Sequence, residues 1–92
     1  MNREEMRVTL RRLLEHEMGE SYPSLEDHFG LKGELGLDSV DLVGLVISVE
    51  REWLVRLSVS DLEQVRTVGD LLDLLARAPK ATRQDTATSS AA

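Results

Sequence analysis

From Val40 to Trp53 the apolar residues of this 92-residue chain fall into two stripes, and that doubling limits the fold more than any other feature. Leu42, Leu45, Val46, Val49 and Trp53 lie at i, i+3, i+4, i+7 and i+11, the spacing of one buried helical face. Val40, Val43 and Ile47 form a second series at i, i+3 and i+7, rotated away from the first. One helix of so small a domain seldom buries two faces, so part of the second stripe is expected to reach solvent and offer partners an apolar strip. A wide core face with half-buried valines would give the same pattern.

The helix is fed by Leu35-Gly36-Leu37-Asp38-Ser39. Gly36 allows a turn that a Cβ would resist, and Asp38 or Ser39 can cap the helix by accepting a bond from an orphan N–H. Asp41, three residues after Asp38, completes an acidic capping box. Ser39 is thereby placed in the first turn. A phosphate ester on that hydroxyl would meet the positive end of the helix dipole, with Asp38 and Asp41 in partial opposition. Ordinary capped helices begin in the same way, so this stretch alone leaves both readings open.

The remaining elements follow from similar signals. Asn2 with Glu5 resembles a capping box, and Met6, Leu10, Leu13, Leu14 and Met18 continue at helical spacing to a stop near Gly19. The charges on the outer face of this helix read as a solvated surface. Residues 19–37 make a long connection anchored by Leu25, Phe29, Leu31 and Leu35, with a short helical turn expected from Ser24 to Asp27. Leu54 to Val59 nearly alternates, as a strand would, but a lone strand has no pairing partner. An extended loop pinned by Val55 and Leu57 is expected instead, then a third helix from Ser60 through Gln64, capped by Ser60 with Glu63. The last helix starts at Thr67, paired with Asp70, buries Val68, Leu71, Leu72 and Leu75, and stops at Pro79. The expected fold is all-α: a small four-helix bundle with a long first loop and a short third helix. Residues 1–78 form the domain. Residues 79–92 are expected to form a disordered tail, too poor in apolar residues to offset its ordering entropy.

Composition removes several classes of function. There is no cysteine, hence no disulfide, cysteine nucleophile or thiolate metal site, and any thiol the protein uses is borrowed. His16 and His28 stand alone, so no metal site is expected. No serine has a histidine placed as its base by a recognisable nucleophile motif, which argues against an intrinsic enzyme. A formal net charge of −6 disfavours nucleic acid and anionic membrane and favours basic partners. No apolar run approaches the ~20 residues of a membrane span, and residues 1–5 lack a signal peptide's apolar segment, so a cytoplasmic location is expected.

Leu31, the run Leu35-Gly36-Leu37-Asp38-Ser39-Val40-Asp41-Leu42-Val43, then Glu50-Arg51-Glu52-Trp53 and Val65-Arg66-Thr67-Val68-Gly69-Asp70-Leu71-Leu72 together resemble the acyl carrier proteins. The similarity extends over residues 3–77 and needs no gap between Leu31 and Leu75. It implies a four-helix domain whose serine, Ser39 here with Asp38 before it, is esterified by 4'-phosphopantetheine from coenzyme A. The arm's thiol would carry acyl groups for fatty-acid, polyketide or specialised lipid synthesis. By analogy Val43, Leu45, Val46, Trp53, Leu62, Val65 and Leu72 would line the acyl pocket, each of them having a simple core role as its alternative. The implied partners are a phosphopantetheinyl transferase and acyl-transferring, condensing and modifying enzymes with basic docking patches. A monomer would meet them through Val40, Asp41, Val43, Ile47, Glu50, Asp61 and Glu63.

Three positions depart from the family pattern. Gly44 stands where fatty-acid carriers commonly have an acid, Arg51 adds positive charge to an acidic face, and Trp53-Leu54 replaces a phenylalanine and a small or polar residue. Two other readings remain: a peptidyl carrier using the same arm, and a helical interaction module that is never modified.

Overall fold

The computed structural model describes residues 2–79, which form four helices: α1 (Arg3–Met18), α2 (Ser39–Trp53), α3 (Val59–Glu63) and α4 (Val68–Arg77). No strand occurs among the described residues. The expected tail lies, but for Pro79, outside them.

Three of the four helices start on reciprocal caps that the sequence announces. In α1 the Glu5 N–H donates to Asn2 Oδ1 at 2.8 Å while the Asn2 N–H donates to the Glu5 carboxylate at 2.9 Å. Thr67 and Asp70 do the same for α4. Gly19 ends α1 in the left-handed conformation with φ 68°, which costs glycine nothing. The third helix differs from expectation. It begins one residue early and is capped by Ser58, whose Oγ accepts the Asp61 N–H at 3.0 Å, while Ser60 lies inside it. Ser58 has the extended backbone that a cap residue requires.

The expected helical turn from Ser24 to Asp27 is also absent; a single turn closes over residues 26–29, with the Phe29 N–H on the Glu26 carbonyl at 3.1 Å. Asp27 is engaged elsewhere. Its carboxylate bridges Arg3 and Arg7, and its carbonyl accepts the Gly69 N–H at 2.9 Å. Val68 donates likewise to the Phe29 carbonyl at 2.9 Å, so the long connection occupies two N–H groups that the start of α4 would otherwise leave unpaired. Gly69 allows this closeness, because a Cβ there would stand 3.2 Å from the Asp27 carbonyl oxygen.

The core is almost wholly leucine and valine. α1 contributes Leu10 and Leu14, α2 contributes Leu45 and Val49, and α4 contributes Val68, Leu71, Leu72 and Leu74, all almost completely withdrawn from solvent. Each fully buried side chain of this kind adds about 1.5–3 kcal/mol. The loops send in Leu25, Leu31, Leu35, Leu37, Val55 and Leu57, while Phe29 is half-buried. No charged or polar residue is buried among the described residues. After α2 the chain passes through Leu54 in the left-handed region (φ 53°, ψ 49°), not into a strand.

Candidate functional site

The two stripes of α2 part as their spacing requires. Leu45 and Val49 are buried and Leu42, Val46 and Trp53 pack half-buried against the core, whereas Val40, Val43 and Ile47 are 78%, 59% and 49% exposed. Exposed apolar side chains are thus contiguous with the start of the helix, where Ser39 is also exposed.

Ser39 is the first helical residue because Asp38, not Ser39, is the cap. Asp38 Oδ1 accepts the Asp41 N–H at 2.8 Å, and Asp41 Oδ2 accepts the Asp38 N–H at 3.1 Å. The approach to the cap is fixed by the loop. Gly36 takes φ 70°, its N–H reaches the Gly33 carbonyl at 3.2 Å, and the Leu37 N–H reaches the Leu31 carbonyl at 2.9 Å. Leu35 and Leu37 are buried on either side of this turn. Glu34 accepts the Gly30 N–H, and that bond holds its carboxyl below the usual carboxylate range. The backbone is therefore anchored to within two residues of an exposed hydroxyl.

Beside Ser39 lies a groove of about 790 Å³, walled by residues 30–33, by α2 and by the segment from Val59 to Arg66. Leu42, Val43, Val46, Ile47, Leu62 and Val65 give it an apolar lining, and Lys32, Glu63 and Arg66 are its charged members. Of the residues expected to line an acyl pocket, Val43, Val46, Leu62 and Val65 do line this groove. Leu45 and Leu72 lie in the core at 1% and 0% exposure, and Trp53 packs half-buried at the opposite end of α2, roughly 20 Å of helix from Ser39. The sequence reading did not assign Ile47, Val59, Lys32 and Arg66 to the groove. A signal for Ile47 was available: Ser39, Val43, Val46 and Ile47 fall at i, i+4, i+7 and i+8, on one helix face. Lys32 and Arg66 carried no such signal, since only the tertiary fold brings their segments together.

Of the acidic residues expected to meet partners, Asp41 and Glu50 have carboxylates engaged in local hydrogen bonds. Asp41 is occupied by the cap. Glu50 organises the end of α2: its carbonyl accepts the Leu54 and Val55 N–H groups, and its carboxylate accepts the Leu57 N–H at 3.0 Å. Asp61 is half-exposed and Glu63 is exposed. A Cβ at Gly44 would meet only the end of the flexible Glu17 side chain reaching across from α1, which would have to move aside.

His16 and His28 are both exposed, and no cluster of metal-ligating side chains occurs among the described residues. No helix among them is long and apolar enough to cross a membrane.

A family model described as a phosphopantetheine attachment site matches residues 8–75. An acyl carrier protein of Saccharopolyspora erythraea is 35% identical over 89 residues, spanning 92% of this chain and 94% of the relative. An acyl carrier protein of Thermotoga maritima is 32% identical over 74 residues, spanning 80% of this chain and 91% of the relative. The crystal structure of an acyl carrier protein from Thermotoga maritima superposes with a TM-score of 0.76 at 27% identity, covering 84% of this chain and 89% of that one.

Proposed function

The chain belongs to the acyl carrier protein family, whose prosthetic group is covalently attached 4'-phosphopantetheine, and from that premise we propose that Ser39 is the residue that bears it. The observation that carries this reading is an exposed hydroxyl on the first residue of α2, beside an open apolar groove. A transferase can reach such a hydroxyl without unfolding any element, and the caged cap behind it keeps the attachment point rigid. When bound, the group supplies a terminal thiol that holds acyl chains as thioesters, chemistry that a chain without cysteine cannot provide for itself.

The chain's own residues do the rest. Val43, Val46, Leu62 and Val65 offer an acyl chain apolar surface, and withdrawing each methylene from water stabilises the sheltered state by about 0.8 kcal/mol. Val40, Val43 and Ile47 form the strip on which partner enzymes dock, with Asp41, Glu50, Asp61 and Glu63 supplying the acidic charge that attracts basic patches. The partners are a phosphopantetheinyl transferase and the acyl-transferring, condensing and modifying enzymes of fatty-acid, polyketide or specialised lipid synthesis in the cytoplasm. The protein acts as a monomeric carrier and leaves catalysis to them.

Intact-mass measurement after incubation with coenzyme A and a broad-specificity transferase tests the assignment. One added arm is expected on the wild type and none on Ser39→Ala. An unmodified wild type, or an arm that persists on the variant, refutes it.

A further inference from the structure

We infer that Lys32 and Arg66 draw the phosphodiester of the Ser39-borne arm toward the apolar groove and so set the arm's resting direction. This positioning role rests on the carrier reading above.

Among the described residues the lysine and arginine side chains outside any ion pair are Lys32, Arg51, Arg56, Arg66 and Arg77, and of these only Lys32 and Arg66 line the groove. All four arginines of α1 are spent on carboxylates: Arg3 on Asp27 and Asp73, Arg7 on Glu4 and Asp27, Arg11 on Glu15, and Arg12 on Glu52. Lys32 and Arg66 make no ion pair among the described residues, yet both line the groove that includes Ser39. Their segments are held together by the backbone, the Leu31 N–H donating to the Arg66 carbonyl at 2.9 Å. The Leu31 carbonyl in turn accepts the Leu37 N–H at 2.9 Å, which brings the same wall to the lead-in of Ser39. Asp70 attracts Arg66 electrostatically, but its carboxylate is already bonded to the N–H groups of Arg66 and Thr67.

Asp38 and Asp41, the near neighbours of Ser39 in sequence, are locked in the cap and do not line the groove. A phosphodiester on Ser39 is fully ionised at neutral pH; Asp38 and Asp41 oppose the attraction of the helix N-terminus for it, while Lys32 and Arg66 attract it across the groove. Glu63 is the one carboxylate in the groove lining and works against this pull. Both cations are exposed, so screening over a Debye length of about 8 Å keeps the bias modest and makes it depend on salt. A modest bias suits a carrier, because the arm must leave the groove whenever a partner takes it up.

The test uses the modified protein. Intact mass first establishes that the arm is present on wild type, on the Lys32→Gln/Arg66→Gln double variant and on Glu63→Gln. Circular dichroism verifies that the exposed substitutions leave the helices intact. Nuclear Overhauser contacts from the arm's methyl groups to the methyls of Val43, Val46 and Leu62 are then measured. They are expected to fall about two- to fivefold in the double variant, the range an exposed ion pair sustains, and to fall likewise for wild type in high salt. They are expected to rise in Glu63→Gln. An arm whose contacts ignore these changes, or weaken in Glu63→Gln, overturns this role alone. Absence of the arm from wild type overturns the carrier reading and this role with it.

Discussion

Glycine and alanine should change places in order of stability between the interior of α2 and its C-terminal cap. Leu54 caps α2 at φ 53°, a conformation that costs an L-residue about 1–2 kcal/mol, and it is held there because the Leu54 and Val55 N–H groups share the Glu50 carbonyl. Its side chain is 63% exposed, so truncation forfeits only about a third of a buried leucine's worth, roughly 0.5–1 kcal/mol. Leu54→Ala keeps the strain and loses that packing, and should destabilise. Leu54→Gly loses the same packing but relieves the strain, and should exceed the alanine variant by about 1 kcal/mol after its larger unfolded-state entropy is counted. Gly44, one-third of the way along α2, has no positive φ, and a Cβ there meets only the flexible tip of Glu17. Gly44→Ala should therefore gain up to about 1 kcal/mol from helix propensity. Thermal unfolding followed by circular dichroism reads both differences, since 1 kcal/mol moves the midpoint of a domain this size by roughly 4–8 °C. If Leu54→Gly is no more stable than Leu54→Ala, strain at the cap is not being relieved. If Gly44→Ala melts lower than wild type, the Glu17 carboxylate is not free to move.

Acid should loosen the start of α4. Bonds from the Arg66 and Thr67 N–H groups hold the Asp70 carboxyl below its ordinary range, so its stabilising contribution is present above the unfolded value of about 4 and is lost as pH falls through the lower folded value. Asp70→Asn should melt lower than wild type at neutral pH and lose less on acidification; parallel melting curves across pH would refute the assignment. Core and groove should also separate under truncation. Leu72→Ala, at a wholly buried position, should cost about 2–5 kcal/mol in chemical denaturation, and Val46→Ala, half-buried in the groove wall, distinctly less; equal losses would mean that the groove is closed in solution.

The helices were legible where one short-range rule decides them. Asn2 with Glu5, Asp38 with Asp41 and Thr67 with Asp70 each span three residues, and the reciprocal bonds they predict are the ones that form. Errors arose where two local solutions compete. Ser58 and Ser60 both offer a capping hydroxyl with an acid three residues later, and spacing alone cannot choose between them. The expected turn from Ser24 to Asp27 failed for a longer-range reason: Asp27 is pulled out by two arginines of α1 and by the Gly69 N–H, more than forty residues downstream.

The candidate site divides in the same way. Ser39 could be located from sequence because everything that exposes it, from the Gly36 turn to the Asp38 cap, is local. The groove could not, because its walls meet only after the long connection docks on α4 through Asp27 and Phe29 and on Arg66 through Leu31. That docking also explains why so long a loop is tolerated: its carbonyls satisfy the first N–H groups of α4, its leucines enter the core, and its free edge brings Lys32 beside Arg66. A substitution that loosened it, such as enlarging Gly69 against the Asp27 backbone, would disturb the groove wall while leaving the Ser39 turn, the Asp38 cap and the exposed face of α2 in place. On the proposed function, attachment and sheltering would thus be separable in this chain, the first depending on a few neighbouring residues and the second on the packing of the whole domain.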